Sequence, residues 1–83
     1  MKTTLDFDHE AKLMVISPVF ECSLAPGVHS AQGGPGEYVF EILGRWLATA
    51  FPYLVVWRIQ QTSMTTWTAF LADSGTVEFS VII

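Results

Sequence analysis

Residues 39 to 50 commit this chain to one helix. Val39, Ile42, Leu43, Trp46, Leu47 and Ala50 fall at i, i+3, i+4, i+7, i+8 and i+11, the spacing that lines one face of a 3.6-residue repeat. Glu37 and Glu41 sit near its start, where the helix dipole favours negative charge. Glu41 and Arg45 stand in the favourable i, i+4 order. Pro52 ends the repeat, because the residue before a proline is pushed away from helical backbone angles. The predicted helix spans 37–51. Gly44 inside it costs about 1 kcal/mol against alanine, which implies a close backbone approach at that point. A helix with one apolar stripe must lie on something, and the rest of the chain offers strand patterns.

From Thr3 to Phe7 the period is two: Leu5 and Phe7 on one side, Thr4, Asp6 and Asp8 on the other. Lys12 to Ser17 reads as a second strand, so an N-terminal hairpin is expected over 3–20. Pro18 sits at its end or edge because it has no N–H to give. Residues 24–36 hold four glycines and two prolines and read as a loop. After the helix, Tyr53 to Gln61 is β-branched and aromatic. Met64 to Ala72 places Trp67, Ala69 and Leu71 on one face and Thr66, Thr68 and Phe70 on the other. Asp73-Ser74-Gly75 reads as a turn, with glycine supplying a positive φ. Thr76 to Ile83 turns Val77, Phe79, Val81 and Ile83 inward. The expected fold is α+β, in the order ββαβββ: a mostly antiparallel five-stranded sheet with one helix packed across one face. The expectation is a single domain over 1–83 that ends in a three-strand meander over 53–83.

One helix covers one face, and here composition bears on the argument. The chain is 51% apolar and 14% charged over only 83 residues, and a chain so short buries only about 60–65% of its unfolded surface. Strand 53–61 carries Tyr53, Val55, Trp57 and Ile59 on one side and Leu54, Val56 and Arg58 on the other, so both sides are rich in apolar groups. Phe70 adds to the second face. Cover for that face is expected from a homodimer through it, or from docking on another protein.

Charge narrows the partners. The net charge is −4, and Lys2, Lys12, Arg45 and Arg58 are scattered, whereas nucleic-acid affinity comes from clustered cations that release counterions. Direct nucleic-acid binding is not expected. A single cysteine, Cys22, excludes an internal disulfide and fits a reducing compartment. The first residues lack the apolar run of a secretory signal. The longest apolar run, Ala50 to Trp57, is eight residues and contains Pro52, against the roughly 20 that a membrane-spanning helix needs. A cytoplasmic location off the membrane is the expectation.

Chemistry-bearing motifs are weak. Asp6, Asp8 and Glu10 point the same way in an extended segment, which suits an acidic contact with a basic partner more than a cation site. His9-Glu10 begins an H-E-x-x-H pattern that fails at Leu13. Cys22 and His29 could form a nucleophile–base pair, with Glu21, Asp73 or Glu78 orienting the histidine, but nothing in their spacing requires it. Gly33-Gly34-Pro35-Gly36 precedes a helix as a phosphate loop does, yet Glu37 would put a carboxylate where phosphate sits, so a flexible approach to the helix is the simpler reading. Trp46 and Trp57 read as core. Trp67, set among threonines, reads as core or, if outward, as an interface anchor. Arg58, between apolar neighbours, either snorkels to an edge or makes one directed polar contact. No motif asks for a cofactor or a metal.

The function that fits is a small non-catalytic protein-interaction domain that self-associates, with Asp6, Asp8, Glu10, His29, Arg58, Trp67 and Phe70 as candidate contact residues. Inhibitors encoded by phages and mobile elements, such as anti-CRISPR and anti-restriction proteins, share this size and acidity. The alternatives are a small-ligand-binding protein or small enzyme using a cleft beside the 24–36 loop, and a structural homo-oligomer subunit.

Overall fold

A computed structural model describes residues 15–82. Among them, five strands form one sheet with antiparallel neighbours: β1 (Val19–Cys22), β2 (Ala25–Ser30), β3 (Val56–Ser63), β4 (Thr66–Leu71) and β5 (Thr76–Val81), with one helix, α1 (Val39–Ala50), between β2 and β3. The α+β architecture expected from the sequence is the one observed. Spatial order is β2-β1-β5-β4-β3, so β2 and β3 are the two edges. The helix therefore links opposite edges and has to cross the sheet.

Alternation decides what the helix covers. Phe20 and Cys22 of β1, Trp67, Ala69 and Leu71 of β4, and Val77, Phe79 and Val81 of β5 are buried against Val39, Leu43 and Leu47 of the helix. The inward row predicted for β5 (Val77, Phe79, Val81) is the one found, and of the two rows left open in β4 it is Trp67, Ala69 and Leu71 that turn inward. Gly44 lies where the helix meets β3: a Cβ there would come 2.9 Å from Ile59 Cδ1, which accounts for a glycine in mid-helix.

The strand assignments at the N-terminal side need correction. The expected first arm of the 3–20 hairpin lies outside the described residues, and residues 15–17 are not strand. The hairpin that exists joins β1 to β2, so half of the expected 24–36 loop is strand. Pro26 and Gly27, which read as loop residues, are tolerated because β2 is an edge. Gly27 adopts φ +106, and the register slips between Glu21 and Cys22 on the facing strand.

The remainder of that segment is pinned by hydrogen bonds rather than a loose approach to the helix. The Gly33 N–H donates to the Ile16 carbonyl at 2.7 Å and the Ala31 N–H to that of Pro18 at 3.2 Å. A Cβ at Gly33 would run into the Ile42 side chain and come 2.8 Å from Glu37 Oε1, so the glycine is required there by contact. Glu37 accepts from the Gly34 N–H at 2.7 Å and holds both guanidinium nitrogens of Arg45, at 2.7 and 2.8 Å. Arg45 thus pairs with Glu37 rather than Glu41, whose carboxylate instead accepts the Tyr38 N–H at 2.9 Å and caps the helix start. The Arg45 guanidinium and the Gly34 N–H hold the Glu37 carboxyl down at about 2, from an ordinary 4.5. In the β4–β5 turn Asp73 Oδ1 accepts the Gly75 N–H, and Ser74, not the expected Gly75, takes the positive φ, at +78°.

Candidate functional site

The elements of a nucleophilic site do not converge. Cys22 is buried on the helix side of β1. His29, opposite Phe20 in register, has its Nε2 2.9 Å from the Ala25 carbonyl oxygen and its ring 4.9 Å from that of Trp46. Glu21, one residue from Cys22 along β1, is exposed, and Asp73 is spent on its turn. Among the described residues no group of three His, Cys, Asp or Glu side chains gathers to hold a metal ion, and no helix is long and apolar enough to cross a membrane. The concavity beside Pro26 and Gly27 is an open depression, lined also by Glu21, Cys22, Ser23, Glu78 and Ser80, and His29 is not part of it.

The other face of the sheet is more informative. Apolar cover is expected to be wanted on it, yet its centre is polar, because β5 turns Thr76, Glu78 and Ser80 outward, as read from the sequence, and β4 adds Thr66 and Thr68 opposite them. Exposed apolar groups flank it instead, Val19, Val28 and Ile82 toward β1 and β2 and others toward β3. Tyr53, Val55 and Trp57 are 73%, 64% and 64% exposed.

Trp57 corrects the expectation that it is core. Val56 opposes Leu71 and Arg58 opposes Phe70, so one residue of β3 is extra at this point. That bulge turns the strand over: Val56 and Ile59 pack on the core, while Trp57 leaves it and its ring lies 6.0 Å from that of Phe70. Trp67 does the reverse of an interface anchor. It pairs with Phe79 and is 3% exposed, because its strand runs without a slip between Trp67 and Phe70 and keeps the odd positions inward.

Of the candidate contact residues, the structure brings Arg58 and Phe70 together, face to face across β3 and β4. His29 belongs to an aromatic cluster with Phe20 and Trp46. Asp6, Asp8 and Glu10 lie outside the described residues. Arg58 is exposed and has no carboxylate partner among the described residues, unlike Arg45. Tyr53 and Val55 were missed as contact candidates. Their signal was the i, i+2, i+4 alternation with Trp57 after Pro52, which marks one side of an extended segment without saying which side is wet.

Comparison with known protein families, with curated proteins and with solved structures found no match.

Proposed function

We propose that this chain is a non-catalytic protein-interaction domain that docks through the β3 side of its sheet. The observation that carries this is the exposure of Trp57, whose ring lies 6.0 Å from that of half-buried Phe70, beside an exposed Arg58 that has no carboxylate partner among the described residues. Trp, Tyr and Arg are the residue types that dominate binding energy at protein interfaces. A buried aromatic anchor with one directed charge next to it suits a partner offering an apolar pocket and a carboxylate. An inhibitor that occludes a host complex, of the anti-CRISPR or anti-restriction kind, needs little more than such a surface. A cytoplasmic setting is consistent with its one cysteine, which is buried and free.

The test is affinity capture from extracts of the source cell, with wild type beside Trp57→Glu and Arg58→Glu. Each variant should lose the captured partner while retaining its circular dichroism spectrum. Equal capture by all three would overturn the assignment of this surface.

A further inference from the structure

The two edges of the sheet differ in their capacity to accept another strand. β2 carries Pro26, which has no N–H, and Gly27 at φ +106, so its edge is interrupted. β3 has neither proline nor glycine in its eight residues and a single charge, Arg58. No strand lies beyond it among the described residues. Between its two register shifts, Arg58 to Gln61 pair with β4 without interruption. The outward backbone groups of that regular stretch are a template for pairing.

We propose that β3 pairs with β3 of a second copy, antiparallel, about a two-fold axis centred on Gln60. The inference rests on the interaction reading above and names an occupant for the same region. Symmetry selects this arrangement. In a continuous sheet whose helices share one face, an antiparallel strand paired with itself must set one residue opposite its own copy, since neighbours point to opposite faces. Near the middle of Val56–Ser63 that residue is Ile59 or Gln60. Ile59 is turned inward against Gly44, whereas Gln60 is exposed and its amide can both donate and accept.

The same axis sets residue 56 opposite residue 64 and residue 58 opposite residue 62. Exposed Trp57 at one end of the strand then stands opposite Ser63 of the copy, next to Met64, which is 57% exposed. Each Arg58 faces Thr62 of the copy, and the two arginines stay about 14 Å apart. The exposed parts of Val55, Trp57 and Met64, with the backbone edge, amount to about 600 Å² per copy, or about 1,200 Å² in all, the lower limit of stable interfaces. Self-pairing through one edge is isologous and closes at two, while the interrupted β2 edge prevents growth into fibres.

Sedimentation velocity over a micromolar dilution series should show wild type passing from dimer to monomer, with Trp57→Glu raising the dissociation constant at least about tenfold. Under mild oxidation Gln60→Cys should form a covalent dimer, since opposed Cβ atoms lie about 4.5–5.5 Å apart, and Thr62→Cys should not. Cross-linking of Thr62→Cys as fast as Gln60→Cys would overturn the axis. Wild type that stays monomeric throughout the series would overturn self-pairing. If that monomer still loses its captured partner on Trp57→Glu, the edge serves a strand of another protein and the interaction reading stands. A dimer whose capture ignores Trp57→Glu supports self-pairing and removes that reading.

Discussion

On the helix side of the sheet Phe20, Val77 and Phe79 are almost wholly buried, while one step along the same strands Glu21, Glu78 and Ser80 meet solvent. The helix side holds a continuous apolar layer with rings in edge contact, Phe20 with Trp46 at 5.0 Å and Phe79 with Phe20 at 5.8 Å. On the opposite side, exposed large apolar groups flank a polar centre, Val19, Val28 and Ile82 toward β1 and β2, and Val55 and Trp57 toward β3, where a bulge has turned Trp57 out. Stability is therefore concentrated on one face. The aromatic groups of the other are left available for contact, because the fold does not consume them.

The largest effect should come from the covered face. Phe79→Ala removes a ring packed on Phe20 and Trp46 and should cost about 3–5 kcal/mol in chemical denaturation. A loss near that of a surface change would mean that the layer is not organised around this ring. Next comes the pinned turn that leads into the helix. Gly33→Ala drives a Cβ into Ile42, which is buried and cannot yield, and should cost about 1–3 kcal/mol. Gly34→Ala, whose nearest neighbour would be 3.9 Å away, should change little. Equal losses at both glycines would show that backbone freedom, not contact, is what position 33 supplies.

What was legible in the sequence follows the same division. β4, β5 and α1 keep unbroken periodicities of 2 and 3.6, so Val77, Phe79 and the Val39–Leu47 stripe could be placed inside from pattern alone, while for β4 the pattern separated the Trp67–Ala69–Leu71 row from its opposite without saying which was inward. The pattern failed where geometry departs from a regular period. A slipped register at Val56/Arg58 reversed Trp57, and an edge position made Pro26 and Gly27 compatible with strand. Half of the contact region was readable: Arg58 and Phe70 were candidates on their own chemistry, but Trp57 faces outward only through the slip, and Tyr53 and Val55 precede the strand. The Arg45 partner was missed because Glu37 precedes the helix and reaches it across the glycine turn, outside any i, i+4 rule.

That Glu37–Arg45 pair gives a smaller, pH-dependent effect on the helix side. Folding lowers the Glu37 carboxyl from 4.5 to about 2. Its stabilisation is thus complete above the unfolded value and is lost as pH falls from about 4.5 toward 2. Urea midpoints measured at pH 7 and near pH 3 should differ less for Glu37→Gln than for wild type. The same pH difference in both proteins would show that the pair, which is exposed and screened by solvent, adds nothing to the folded state.

The smallest effect tests the open face directly. Trp57→Ala removes the largest exposed ring, and its ring contact is with Phe70, on the same outer surface. At dilutions where the monomer is the species measured, its denaturation midpoint should stay within about 0.5 kcal/mol of wild type, as for surface substitutions generally. At concentrations that favour association the same variant should be visibly less stable than wild type, since a partner that binds only the folded chain raises its apparent stability. A large loss in the dilute monomer would assign Trp57 to the fold, and the contrast between the faces would then disappear at the position where it is sharpest.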